Sequence, residues 1–125
     1  MPSFTKFMFK AVKRVFSTND WKKFVNPTVV RGGTIWPKSE KEQEEVGIRF
    51  DYDGEVETDE GTRIKIQIQP NRGNIPTKIS NWMKRNGATT HAVMATIYVL
   101  KNGNMEDLRK AMEEGFAKIV EDGKN

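Results

Sequence analysis

Apolar side chains recur at helical spacing near the start of the chain. Phe4, Phe7, Met8, Ala11, Val12, Val15 and Phe16 fall at i, i+3 and i+4, with Lys6, Lys10, Lys13 and Arg14 between them. Residues 1–26 therefore predict a basic helical arm. Ser-Thr-Asn-Asp at 17–20 breaks the first helix and caps a second, short one holding Trp21, Phe24 and Val25. Asn26-Pro27 closes it, because the residue before proline avoids the α region. Residues 28–36 read as two short β runs around Gly32-Gly33, a hairpin signal. Residues 38–45 read as a solvated loop or a fraying helical turn.

The strongest sheet signal follows. Val46, Ile48, Phe50, Tyr52 and Val56 occupy even positions, and so do Thr62, Ile64, Ile66 and Ile68. Period-2 alternation on both sides of Asp59-Glu60-Gly61 predicts a long hairpin with a buried even face. A three-residue loop pairs Thr58 with Thr62, which sets Glu57 against Arg63 and Glu55 against Lys65. A short helix is expected at 77–86, closed by Asn86-Gly87, and an apolar-rich strand at 90–100. Lys101-Asn102-Gly103-Asn104 turns the chain into a final helix over 104–123. Its stripe is Met105, Leu108, Ala111, Met112, Phe116, Ile119 and Val120, with Asn104 as N-cap and Gly123 as C-cap. The fold class is thus α+β in a single domain over 1–125. An antiparallel meander sheet within 28–100 is covered by a C-terminal amphipathic helix and preceded by the helical arm.

Charge adds an asymmetry to this outline. The net charge is +4, yet residues 1–25 hold six Lys or Arg against one acid, and residues 37–61 hold ten acids against three bases. Residues 69–86 hold four bases and no acid. The basic segments suit a polyanionic partner, and the acidic block repels it or meets another subunit. For the basic arm, with Lys6, Lys10, Lys13 and Arg14, three roles stay open: packing on the sheet, facing nucleic acid or a subunit, or lying on an anionic membrane.

Candidate chemistry is sparse. There are no cysteines and a single histidine, His91, so thiolate chemistry is excluded and a histidine-based triad or zinc site is not expected. The carboxylates at 40–60 alternate with bases and lack calcium-loop spacing. Arg31-Gly32-Gly33 and Asn71-Arg72-Gly73-Asn74 lack the ending of a phosphate loop. Trp21, Trp36 and Trp82 suit core or interface better than base stacking. No apolar run is long enough to span a membrane, and the N-terminus is too charged for a secretory signal. No catalytic residue, metal or cofactor is expected. A polar platform is expected where the odd hairpin face meets the later strand: Arg49, Arg63, Lys65, Gln67, Thr96 and Tyr98, suited to single-stranded RNA.

The order hairpin, connector, strand, tight turn and helix over residues 46–123 resembles the coat proteins of small single-stranded RNA phages, the levivirus-like family. The segments TRIKIQIQP and MATIYVLKNGNMEDLRKAMEEGFAKIVEDG carry the likeness. The resemblance implies a homodimer that assembles into an icosahedral shell, binds genomic RNA on its sheet, and is found in the virion or host cytoplasm. Leu108, Met112, Phe116 and Ile119 are then the assembly residues. The helical start, the helical connector at 77–86 and the acidic block depart from that family. The alternatives are a non-structural nucleic-acid-binding protein using the basic arm, and a peripheral membrane protein.

Overall fold

The computed structural model describes residues 11–70 and 96–122, with side chains described at 11–69 and 96–115. A four-stranded antiparallel meander runs in the order β1-β2-β3-β4. Its strands are β1 (Thr34–Trp36), β2 (Ile48–Thr58), β3 (Gly61–Pro70) and β4 (Thr96–Leu100). Helical residues 11–16 (α1) and α2 (Trp21–Val25) precede the sheet, α3 (Glu40–Val46) links β1 to β2, and α4 (Met105–Asp122) follows β4. The α+β meander covered by a C-terminal helix is therefore as the hydrophobic pattern predicts. The helix expected at 77–86, the Asn86-Gly87 and Gly123 caps, Trp82 and His91 lie outside the described residues.

One face of the sheet carries the core. Ile48, Phe50, Ile64, Ile66, Ile68, Ile97 and Val99 are buried against Ala11, Val12 and Val15 of α1, Phe24 and Val25 of α2, and Leu108 and Met112 of α4. Phe50 sits at the centre, edge-on to Phe24 at 5.1 Å and tilted against Trp36 at 6.0 Å. Such ring pairs add about 0.5–1.5 kcal/mol beyond their burial. Trp36 keeps its indole N–H satisfied by donating to Asp20 Oδ2 at 3.0 Å. Asp20 thus serves the core tryptophan, and its side chain makes no capping bond to α2.

Three local expectations are corrected. First, residues 28–33 are not a strand. Gly33 N–H turns back to Val30 C=O, while Gly32 N–H and Gly33 C=O bond the backbone of Tyr52, so β1 pairs with β2 and not with the run before it. Second, 40–46 is a true helix. Ser39 Oγ accepts from Glu42 N–H at 3.1 Å, and Gly47 ends it in the left-handed region at φ 84°.

Third, the long hairpin has a two-residue loop and a bulge. Thr58 pairs with Gly61, Glu57 with Thr62, Val56 with Arg63 and Glu55 with Ile64, whereas Tyr52 pairs with Ile66. Between those pairs β2 spends two residues, Asp53 and Gly54, against the single Lys65. The extra residue inverts the pleat, so Val56 turns to the polar face and is 38% exposed. Gly54 adopts φ 90°, a conformation costly for a residue with a Cβ.

The approach of α4 to the sheet depends on Gly115. A Cβ there would stand 2.4 Å from Ile97 Cγ2. Alanine is favoured over glycine inside a helix by about 1 kcal/mol, but overpacking costs about 1–3 kcal/mol. Gly115→Ala is therefore expected to lower stability by up to roughly 2 kcal/mol, and in an Ile97→Ala background to stabilise or cost nothing. Urea unfolding of the four chains checks this; additive effects would show that the contact is not what requires glycine.

Candidate functional site

The predicted platform residues do share one face. Thr96 lies opposite Gln67, Tyr98 opposite Lys65 and Leu100 opposite Arg63. Their polar groups, however, are bound within the chain. Arg49 Nε donates to Asp51 Oδ2 at 3.0 Å, and Gln69 donates to the same oxygen at 3.1 Å. Thr34 Oγ1 donates to the other Asp51 oxygen at 2.8 Å. Asp53 gathers Gln67 at 2.9 Å, Lys65 at 3.3 Å and Arg31 at 3.1 Å. Gln67 in turn accepts from Thr96 Oγ1 at 2.7 Å, which carries the chain of bonds from β2 through β3 to β4. Arg63 pairs with Glu60 at 2.8 Å and donates to Tyr98 C=O at 3.3 Å. Each of the three platform cations is therefore paired with a carboxylate, and the partners differ from the expected ones because the two-residue loop and the bulge together shift the register. Phosphate binding on this face would have to displace them.

Asp53 is the clearest electrostatic feature. The Gln67 amide, then Arg31 and Lys65, hold its carboxyl down at about 2, against an ordinary 3.8, despite some opposing burial. It stays ionised and acts as a strut; it is not poised for proton transfer near neutrality. Its folded-state value is depressed, so its stabilisation is present above 3.8 and fades as the pH falls from there toward 2. Asp53→Asn is expected to cost about 1 kcal/mol at pH 7 after allowance for partial solvent screening. The gap to wild type should narrow in acid, and a gap that stays constant from pH 7 to about 2 would refute the role.

The basic arm is also accounted for in part. Arg14 bridges α1 to α3 through Glu42 at 3.1 Å and Glu45 at 3.8 Å, so basic and acidic segments meet inside one chain. Lys13 is exposed, and Lys6 and Lys10 lie outside the described residues. Of the expected assembly residues, Leu108 and Met112 are 0% exposed in this chain's own core and present nothing to a partner. The side chains of Phe116 and Ile119 lie outside the described ones. Among the described residues no cluster of metal-ligating side chains occurs, and no helix is long and apolar enough to cross a membrane.

A concavity lies along β4. A cleft of about 510 Å³ has Ile97, Ala111 and Gly115 lining it beside Arg63, Thr96 and Tyr98 from the sheet, Glu60 from the β2–β3 loop, and Asp107, Lys110 and Glu114 from α4. Lys101 N–H donates to Thr62 C=O, so alternation along the ladder turns Ile97 and Val99 toward β3. Thr96, Tyr98 and Leu100 then direct their backbone groups to the outer edge. Two of those carbonyls are met within the chain: Tyr98 C=O by Arg63 and Leu100 C=O by Gly103 N–H at 3.0 Å. Among the described residues no acceptor meets the Tyr98 or Leu100 N–H. The helix beyond is fixed by reciprocal capping, Asp107 N–H to Asn104 Oδ1 at 2.9 Å and Asn104 N–H to Asp107 Oδ2 at 3.1 Å.

Sequence reasoning reached Arg63, Thr96 and Tyr98 but missed Glu60, Lys110, Glu114 and Gly115. A glycine in the middle of a helical stripe is the signal that was available, since it marks close approach of another element. Comparison with protein families settles the family. Residues 1–118 match the family model HrmA, described as subtelomeric hrmA-associated cluster protein. The chain belongs to this family. No curated protein and no solved structure matches it. Membership in the hrmA-associated cluster family overturns the likeness to phage coat proteins, and with it the icosahedral shell, the packaging of genomic RNA and the virion location. The shared features were a meander, a tight turn and a helix, which is a general α+β arrangement and not a coat signature. The hrmA-associated match also includes the helical start, one of the features that departs from coat proteins.

Proposed function

We propose that this member of the hrmA-associated family is a non-catalytic protein-binding domain, and that it takes an extended polypeptide segment along the outer edge of β4. The observation that carries this reading is the cleft along β4, where Tyr98 lies beside an apolar lining of Ile97, Ala111 and Gly115 and where, among the described residues, no acceptor meets the N–H groups of Tyr98 and Leu100. Strand addition draws affinity from backbone hydrogen bonds and selectivity from alternate side chains. Here the 45%-exposed Tyr98 supplies an aromatic surface, and Lys110 and Glu114 offer charges from the facing helix. On the non-catalytic side, Asp51 and Asp53, the carboxylates at the heart of the polar face, are committed to hydrogen bonds that hold strands together.

A display library of random peptides about ten residues long, panned against chain immobilised at low density, tests the reading. Enriched peptides are expected to shift the amide resonances of Thr96–Leu100 and of the adjoining turns of α4. They should lose affinity roughly tenfold, about 1.4 kcal/mol, in Tyr98→Ala with little change in melting temperature. Absence of enrichment, or shifts confined to other surfaces, would overturn it.

A further inference from the structure

The cleft along β4 has a property that selects one occupant. Its outward-facing strand residues are Thr96, Tyr98 and Leu100, with Tyr98 at the midpoint of the strand. An antiparallel pairing of β4 with itself about a two-fold axis through Tyr98 sets Tyr98 against Tyr98, and Thr96 against Leu100, of the other copy. In that register the Tyr98 and Leu100 N–H groups, which no acceptor meets among the described residues, both gain carbonyl acceptors. The carbonyls already met by Arg63 and Gly103 keep a second lone pair for the new bond. The facing helix has the matching symmetry. Lys110 and Glu114 are one turn apart on α4, opposite in sign, and both line the cleft. A two-fold contact needs a self-complementary patch, and antiparallel α4 helices bring Lys110 of one copy to Glu114 of the other in both directions.

Resting on the protein-binding reading above, we infer that the segment taken by the β4 edge is β4 of a second copy of this chain. The two sheets then join into one, with Lys110 and Glu114 exchanged across the axis. This contact is distinct from the apolar stripe of α4, whose Leu108 and Met112 are consumed by the core. Arg63, anchored by Glu60 and lying on Tyr98 C=O, keeps the edge from accepting strands without regard to their flanking charge.

Sedimentation of the full chain over a range of concentrations tests the inference. Wild type is expected to reach dimer mass and stop there. Lys110→Glu and Glu114→Lys alone each place like charges across the axis and should weaken association by about tenfold or more. The double variant K110E/E114K should restore it to within a few-fold of wild type, a rescue that a different partner surface would not produce. Melting temperatures show whether each variant folds. If one does not, amide exchange of wild type replaces it: the Tyr98 and Leu100 N–H groups should become protected as concentration rises. A monomer at every concentration, a dimer indifferent to the charge swaps, or exchange independent of concentration overturns the inference. Retained peptide binding by such a monomer would leave the protein-binding reading standing, whereas loss of both would remove the two together.

Discussion

A single inserted residue at Asp53–Gly54 governs the geometry of this sheet. With no bulge, the pairing of Tyr52 with Ile66 would continue unchanged to the turn, and Val56 would stay on the core side. The bulge inverts the pleat there, and a two-residue loop becomes compatible with a buried Ile64. It also leaves the Asp53 carboxylate on the polar face, where amide and cations from β3 and the loop before β1 converge on it. Glycine is what permits the bend, because φ 90° disfavours any side chain.

From this constraint follows the distribution of charge. Asp51 and Asp53 bind neighbours on both sides, and Gln67 relays the second set to Thr96 on β4. The polar face is therefore a stitched layer. Hydrogen bonds to charged groups contribute about 1.5–3 kcal/mol each when sheltered and less when solvated. A run of acids beside a run of bases thus need not divide a molecule into poles. Arg14 with Glu42, Lys101 with Glu55 and Arg31 with Asp53 show the acidic segment distributed against cations from three different parts of the chain.

Much of the fold was legible in the sequence. Helical spacing located α1 and α4, Asn104 and Asp107 announced the cap, and alternation located β2 and β3. The bulge was not legible, because period-2 alternation constrains each strand separately and says nothing of a residue inserted between two well-patterned stretches. Charge pairing misled here: Glu57 with Arg63 and Glu55 with Lys65 form a consistent set, yet Arg63 meets Glu60 and Lys65 meets Asp53. Two registers satisfied the same electrostatic rule, so the rule could not choose. The site was half legible. Arg63, Thr96 and Tyr98 were placed on one face correctly, but their availability depended on partners that the register assigns.

The edge strand draws these points together. Among the described residues a meander of four strands has β1 and β4 at its margins, and an exposed edge invites uncontrolled pairing. On the β1 side the strand is only three residues long, and a short edge offers little to a pairing strand. On the β4 side the protection is partial: two carbonyls are engaged, whereas among the described residues no acceptor meets the Tyr98 and Leu100 N–H groups, and Tyr98 lines a cleft bounded by a charged helix. Closing such an edge fully needs only another bulge, a proline or an inward charge. Instead, Gly115 lets α4 approach Ile97 closely, and Lys110 and Glu114 share the cleft with Tyr98. A helix that close narrows what can enter to an extended chain, and its alternating charges narrow it again by sign. On the proposed reading, selectivity at this edge arises from the same glycine that completes the packing of the core.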